Sequence, residues 1–148
     1  RAGMQVRALK DSLQRLDSKI KIVIMGDMND DPMDKSMAEA LGAKRNMKNV
    51  KKGDLYNPWW NTLAEGEGTL KYRGKWNLFD QIVFTGNFLN KRHKKLSYLN
   101  HEIFRRDFLI QADGKYKGYP LRTQAGGRWM NGYSDHLPTV VFWNKIIG

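Results

Sequence analysis

Three short stretches of the sequence place acidic, amide or imidazole side chains beside apolar segments typical of β-strands. These side chains belong to Asp27, Asn29, Asp80, Asp135 and His136. Each of them alone also fits a turn, a helix cap or a satisfied structural group. Together they make a set of carboxylates around one imidazole, which fits metal-assisted hydrolysis of a phosphate ester. In that chemistry one group takes a proton from water, another neutralises the phosphoryl oxygens, and carboxylates hold a divalent cation.

The cysteine content narrows the choice of metal. The sequence contains no cysteine, which excludes a disulfide framework, a thiolate metal site and a cysteine nucleophile. The candidate ligands are then hard oxygen atoms, which favour Mg²⁺ over Zn²⁺, with Mn²⁺ as an alternative.

The segment from Ile20 to Asp31 is the one around which the others are organised. Its apolar, β-branched first half predicts a buried strand, and its acidic and amide second half predicts a polar loop. Gly26 is predicted to let the backbone turn sharply, and Asp27 and Asn29 to point to the same side of an extended segment. The alternative is that these polar residues only turn the chain and cap the next helix.

Two helices are predicted around this segment. Apolar residues at helical spacing predict an amphipathic helix ending near Asp17, with its apolar face packed on the sheet that contains residues 20–25. These apolar residues are Val6, Leu9, Leu13 and Leu16. A second helix is predicted to begin with Asp31 as its N-cap and to end at Gly42. A helix, a strand and a helix in this order predict an α/β architecture.

Further strands are predicted along the second half of the chain. The segments 69–72, 76–85 and 139–143 have strand-like composition, and 103–110 with 115–121 is predicted to form a hairpin that turns at Asp113-Gly114. Asp80 lies inside a strand that is predicted to be buried. A buried carboxylate is costly unless it is paired, so Asp80 is expected to have a partner.

The charge of the chain indicates an anionic partner. The 148 residues carry a formal net charge of +11, with basic runs at 44–52 and 91–95. One alternative to an enzyme is therefore a non-catalytic module that binds nucleic acid or another polyanion, with Trp59, Trp60 and Trp76 as stacking surfaces. Docking on membrane phospholipid is a further alternative, and a basic surface that is merely solvated remains open.

Three motifs resemble the C-terminal signature motifs of the endonuclease/exonuclease/phosphatase superfamily. They are Gly26-Asp27-Met28-Asn29, Phe79-Asp80-Gln81-Ile82 and Ser134-Asp135-His136-Leu137-Pro138. Met28 stands where Phe or Leu is more usual, and Gln81 where Tyr or His is frequent. The resemblance implies a phosphoesterase with a DNase I-like, four-layer α/β sandwich.

The resemblance also implies a role for each candidate residue. Asp27 would accept a proton from the attacking water and contribute to the metal site, and Asn29 would position that water. His136 would contact the scissile phosphate and be oriented by Asp80. Asp135 would lie at or near the metal.

The resemblance covers only the second half of the family domain. It implies that residues 1–148 form one partial domain, with one mixed or antiparallel sheet and flanking helices. The first residue is Arg1 and not Met, so we expect a piece of a longer protein. The absent N-terminal half would supply the principal metal-binding Glu, so this part alone is expected to bind metal poorly and to be nearly inactive. Its uncovered sheet is expected to meet that half or to self-associate.

The substrate is not indicated by the site motifs, because family members share them and differ in their loops. Nucleic acid, an inositol phosphate and a phospholipid headgroup all remain candidates. The segment from Lys91 to Arg128 is expected to shape this specificity. No apolar run approaches the roughly 18 residues of a membrane span.

Overall fold

The computed structural model describes residues 1–91 and 95–145. The helices are α1 (Ala2–Leu16) and α2 (Trp59–Ala64), with a π-helical turn at Ser36–Leu41. The strands in chain order are β1 (Val23–Asp27), β2 (Ala43–Lys44), β3 (Leu55–Tyr56), β4 (Leu70–Tyr72), β5 (Lys75–Asn77), β6 (Asp80–Thr85), β7 (Ser97–Ile103), β8 (Gln124–Ala125), β9 (Arg128–Trp129) and β10 (Thr139–Asn144). Neither α1 nor α2 has the length and apolar character needed to cross a bilayer, and the same holds for every helix of the described part.

A four-stranded mixed sheet lies at the centre of the fold. Its strand order is β1-β6-β3-β2, with β6 antiparallel to both β1 and β3, and with β2 parallel to β3. β7 and β10 form a separate antiparallel pair, and β4–β5 and β8–β9 are two short hairpins. The predicted α/β class with a mixed sheet and helices is confirmed.

An aromatic cluster holds the β7–β10 pair against the central sheet. Phe84 of β6 is fully buried, and its ring centroid lies 5.1 Å from those of both Tyr98 and Trp143. Tyr56 and Phe88 complete the cluster. Because rings at such distances and tilts add to the stabilisation from buried area, this cluster fixes where β10 and the loop before it lie.

The first helix ends where the sequence predicts, but it packs differently. Its apolar face was expected on the sheet, yet Val6, Leu9 and Leu16 are all exposed, Leu16 by 86%. The helix docks instead through Gly3, where a Cβ would lie 2.6 Å from the Ser36 carbonyl oxygen. Lys10 is buried and donates to the Gly53 carbonyl oxygen at 3.1 Å. Helical periodicity shows which face is apolar and says nothing about what covers it.

The first strand was expected to be buried, and this is wrong. β1 is an edge strand in which Val23 and Met25 are 40% and 72% exposed, while Ile24 packs into the core. Gly26 has φ +155° but stays in the strand, paired with Gln81. The sharp turn comes later, at Asn29, which has φ +53°.

The helix predicted after Asp31 is also different. Asp31 does not cap it, because its Oδ1 accepts a hydrogen bond from the Leu78 backbone N–H at 2.7 Å. The helical segment is the π-helical turn, which follows Lys35. It ends at Gly42, in the left-handed conformation with φ 79°, as predicted.

Two predictions about the later strands need correction. The segment predicted as one strand over 76–85 is divided into β5 and β6 by Leu78 and Phe79. The hairpin predicted over 103–121 forms only in its inner part. Ile110 and Pro120 make an antiparallel bridge, and the Gln111 backbone N–H donates to the Tyr119 carbonyl oxygen at 2.8 Å, but Ile103 ends β7, which pairs with β10. The Asp-Gly signal was local, whereas the partner of β7 is distant in sequence. Residues 92–94 of the second basic run lie outside the described residues.

Candidate active site

The ends of β1 and β6 bring two carboxylates together. Asp27 is the last residue of β1 and Asp80 the first of β6, and the two are direct partners across the antiparallel pair. His136 reaches them from the loop before β10. One oxygen of each carboxylate and one imidazole nitrogen all lie within 4.8 Å of one another.

The imidazole of His136 is hydrogen-bonded to the carboxylate of Asp80. Its Nδ1 lies 2.7 Å from Asp80 Oδ2 and 4.0 Å from Asp27 Oδ2. A carboxylate only accepts, so Nδ1 donates and Nε2 is left for another partner. Like charges directly opposite on neighbouring strands repel, and a positively charged imidazolium beside both carboxylates would offset that repulsion. The Asp27 side chain is the more exposed of the two, at 42% against 23%.

Thr69 holds this pair, and the sequence analysis did not identify it. Its hydroxyl donates to Asp80 Oδ2 at 2.6 Å, and its carbonyl oxygen accepts from the Leu137 backbone N–H at 2.7 Å. The fully buried Thr69 thus contacts both the carboxylate and the loop that carries the imidazole. The preceding Gly68 permits this approach, since a Cβ there would lie 2.5 Å from the Asn77 carbonyl oxygen.

The loop that carries His136 is anchored on both sides. Ser134 Oγ accepts from the His136 backbone N–H at 3.0 Å. Leu137 is 2% exposed and packs in a core cluster that includes Trp59. The Pro138 carbonyl oxygen accepts from the Phe104 backbone N–H at 2.7 Å. Such anchoring fixes the backbone position from which the imidazole projects.

A buried amide fixes the loop after β1. Gln81 is fully buried, and its Nε2 donates to the carbonyl oxygens of Asp30 at 2.7 Å and Leu78 at 2.9 Å. Its Oε1 accepts from Asn57 Nδ2 at 2.9 Å. Neighbouring residues of a strand face opposite sides, so Gln81 braces the sheet behind Asp80. In the sequence, Gln81 stands out only as a departure from the family motif.

The remaining candidates, Asn29 and Asp135, are less closely connected to the site than Asp27, Asp80 and His136 are. The Asn29 backbone N–H donates to Asp27 Oδ1 at 2.9 Å, so a turn and not strand alternation brings it beside Asp27. Asp135 is 59% exposed and lies 3.9 Å from Arg122 Nη2. Within residues 1–91 and 95–145, the group of possible metal-binding side chains consists of Asp27, Asp80 and His136, and Asp135 is outside it.

A second histidine, His101, has only structural partners. Its Nδ1 lies 2.6 Å from the Tyr98 hydroxyl and its Nε2 2.9 Å from Thr62 Oγ1. Burial lowers the pKa of His101. Its ring also packs edge-on against Trp59. It is therefore a satisfied core histidine, in contrast to His136.

The tryptophans proposed as stacking surfaces are largely occupied. Trp59 is fully buried and donates to the Ile82 carbonyl oxygen at 3.0 Å, so it offers no face to a base. The ring of Trp76 has Lys71 and Arg105 each 5.3 Å from its centroid. This arrangement weakens the stacking part of the alternative binding module.

Carboxylates that meet an oriented imidazole at the ends of neighbouring strands can serve acid–base chemistry such as the activation of water. The model of the Endonuclease/Exonuclease/phosphatase family matches residues 1–145, and the chain belongs to this family. Family membership supports a phosphoesterase or nuclease type of function in general. Neither a search of curated proteins nor a search of solved structures found a match.

The donor set fits a hard divalent cation of the kind that family members typically use. Asp80 Oδ2 and His136 Nδ1 are hydrogen-bonded to each other, so these two atoms are not available to a metal. Asp27 has one oxygen bonded to the Asn29 N–H and is half-exposed, so its other oxygen is the most available. Mg²⁺ needs only one or two carboxylates when water and substrate phosphate supply the remaining ligands.

Proposed function

We propose that this protein is a metal-dependent phosphoesterase in which an activated water molecule attacks a phosphodiester or a phosphomonoester. The observation that carries the proposal is the 2.7 Å contact between Asp80 Oδ2 and His136 Nδ1, with Asp27 Oδ2 4.0 Å from the same nitrogen. In a chain of this family, those three groups supply the parts that ester hydrolysis needs.

His136 acts on the phosphate. Because Asp80 accepts a hydrogen bond from Nδ1–H, it fixes the orientation of the ring and leaves Nε2 for the phosphate, and its carboxylate balances the charge of the ring when Nε2 also carries a proton. The protonated ring then presents Nε2–H as a donor to a phosphoryl oxygen, where negative charge increases in the transition state. Thr69 keeps Asp80 in position for this.

Asp27 acts on the water. The Asn29 backbone N–H fixes one carboxylate oxygen, and the other oxygen accepts the proton of the attacking water. The Asn29 side chain helps to position that water. A strand end is a suitable support for such groups because a paired strand is more rigid than a loop.

A divalent cation, Mg²⁺ or Mn²⁺, completes the proposal. Asp27 and, from the loop of His136, Asp135 would hold it, so that the cation and the attacking water would share the Asp27 carboxylate. When bound, it neutralises charge on the phosphoryl oxygens. The substrate is a phosphate ester of nucleic acid, inositol or a phospholipid headgroup.

The chain is also proposed to act as the C-terminal half of a larger domain. The exposed apolar residues of α1 and β1, among them Leu9, Leu16 and Met25, support this, since they form surface that another part of the protein would cover. Self-association through the same surface is the alternative.

The test is hydrolysis by the full-length protein with Mg²⁺ on abasic DNA, plain duplex DNA, inositol phosphates and sphingomyelin. On the substrate that is hydrolysed, Asp27→Asn and His136→Gln should each lower the rate by roughly 10²–10⁴-fold, the usual contribution of an acid–base group. The exposed Asp113→Asn is the matched control and should leave the rate unchanged. Full activity of Asp27→Asn would remove the proposal.

One observation favours a second candidate function. The net charge of +11 suits a non-catalytic module that binds a polyanion. The two functions separate in the same experiment, because a binding module would lose no function in Asp27→Asn and would show no hydrolysis in the parent protein.

A further inference from the structure

A cleft lined by lysines lies at the end of the β1–β6 pair opposite to the carboxylates. It has a volume of about 430 Å³ and is lined by Lys19, Lys21, Lys52, Gly86, Asn87, Asn90 and Lys95. Lys19 and Lys21 come just before β1, and Gly86 and Asn87 come just after β6. A six-residue strand separates this lysine cleft from Asp80, which is roughly 15–20 Å.

The lysine cleft gathers positive charge. In the part of the chain that the structure describes, its lining contains four lysines and no carboxylate, and the Asp17 carboxylate next to it accepts from the Lys19 backbone N–H at 2.8 Å. Among the described residues, none of these lysines forms an ion pair; the nearby Asp54 is bonded to Lys44 at 2.8 Å instead. Lys21 donates to the Leu96 carbonyl oxygen and lies 5.1 Å from the Phe88 ring centroid. Burial and, after it, the charge of Lys95 lower the pKa of Lys21.

The walls of the cleft are held by hydrogen bonds and one close approach. Asn87 Nδ2 donates to the carbonyl oxygens of Lys19 and Ile20, and its Oδ1 accepts from the Thr85 hydroxyl at 2.6 Å. On the other side, a Cβ at Gly86 would lie 2.2 Å from the Lys51 carbonyl oxygen, so only glycine lets the two backbones approach. The backbone at Lys19 and the backbone next to Lys52 are thus held before any ligand arrives, which lowers the entropic cost of binding.

The shape and lining select the ligand. A concave site of this volume fits a small molecule and not the flat surface of a macromolecule. Within residues 1–91 and 95–145 no aromatic side chain lines it, so those residues offer no stacking face for a base. Converging ammonium groups are well suited to the closely spaced charges of phosphate.

We propose that the lysine cleft binds a compact phosphate anion, such as pyrophosphate or the phosphate group of a phosphomonoester, at a site separate from the hydrolytic one. The proposal does not depend on the proposed hydrolysis. It assigns part of the basic charge of the chain to one preformed site.

Calorimetric titration of the full-length protein with pyrophosphate tests this. EDTA is present, so that no divalent metal links the ligand to Asp27. We expect saturable binding at one site, weakened by at least about tenfold when two exposed charges are removed in Lys52→Gln/Lys95→Gln. The matched control is Lys35→Gln/Lys117→Gln, which removes the same charge at exposed positions outside the cleft and should bind as the parent does.

Three results would overturn the proposal. The first is no saturable binding, and the second is equal weakening in the cleft variant and the control variant, which would indicate a general charge effect. The third comes from a single-stranded ten-nucleotide DNA without a terminal phosphate. Tighter, cleft-dependent binding of that DNA than of pyrophosphate would make the cleft part of a nucleic-acid surface. Circular dichroism of each variant checks that it is folded.

Discussion

The two ends of the β1–β6 pair carry opposite charge, and the contacts that the charged side chains make differ between the two ends. At one end Asp27 and Asp80 face each other across the strands, and at the other Lys21 and Lys95 lie in one cleft. At the acidic end the negative charge has partners inside the protein, because an imidazole and a threonine hydroxyl both form hydrogen bonds with Asp80. At the basic end, the partners that the structure describes are the Leu96 carbonyl oxygen, the Asn87 amide, the Phe88 ring and, for the Lys19 backbone N–H, the Asp17 carboxylate. The difference fits the two proposals, which are chemistry at the acidic end and binding of an external anion at the basic end.

Each end is also held by one side-chain amide, that of Gln81 at the acidic end and that of Asn87 at the basic end. Replacing Gln81 by leucine gives the largest expected effect on stability. Gln81→Leu would leave the Asp30 and Leu78 carbonyl oxygens and the Asn57 amide without their partner inside the protein. We expect it to lower the free energy of unfolding by about 2–4 kcal/mol, since buried polar groups would be unsatisfied. Urea denaturation measures this.

The matched change at the other end is Asn87→Leu. Asn87 is only partly buried, so water can replace its bonds to Lys19 and Ile20, and a loss of about 1 kcal/mol is expected. Exposed Gln124→Leu should have no measurable effect. Equal losses for Gln81→Leu and Asn87→Leu would show that the acidic end is no more firmly braced than the basic end.

The compensation at the acidic end can be reduced without touching the proposed reacting groups. Thr69→Val removes the hydroxyl bonded to Asp80 Oδ2 and keeps the shape of the side chain. A hydrogen bond to a charged group contributes about 1.5–3 kcal/mol, so kcat should fall by roughly ten- to a hundredfold, with little change in KM. Steady-state kinetics over a range of pH measure this.

Rescue separates positioning from simple damage to the fold. Thr69→Ser keeps the hydroxyl and should retain most of the parent kcat. If Thr69→Val hydrolyses as fast as the parent, or if Thr69→Ser is as slow as Thr69→Val, then the hydroxyl does not position Asp80 for the reaction.

Local features such as helix ends and strands could be predicted from the sequence. The distant residues that each of these features contacts could not. The end of α1, the cap at Gly42 and β10 follow from spacing and from residue types within a few positions. The carboxylates and His136 were found because each follows or precedes an apolar run. Thr69 has no such signal, because its importance comes from contacts to residues 11 and 68 positions away.

Burial was the least predictable property for the same reason. α1 and β1 have the apolar residues that the pattern describes, but Leu9 and Met25 are exposed. An apolar pattern therefore does not by itself show that its residues are buried. Likewise, the basic runs at 44–52 and 91–95 supply only Lys52 and Lys95 of the cleft, and its other two lysines come from a third place in the sequence, just before β1. Only the pairing of β1 with β6 brings Lys19 and Lys21 to Gly86 and Asn87.

The smallest expected effect tests whether the basic end is strained by its own charge. Lys95→Gln removes a charge that lowers the pKa of Lys21, and the repulsion it relieves should raise the free energy of unfolding by about 0.3 kcal/mol at low ionic strength. Because salt screens exposed charges, the gain should vanish near 1 M NaCl, and pyrophosphate should remove it too by occupying the cleft. Exposed Lys117→Gln should show no salt-dependent gain. A gain of equal size in both variants would mean that net charge alone, and not the arrangement of the cleft, sets the repulsion.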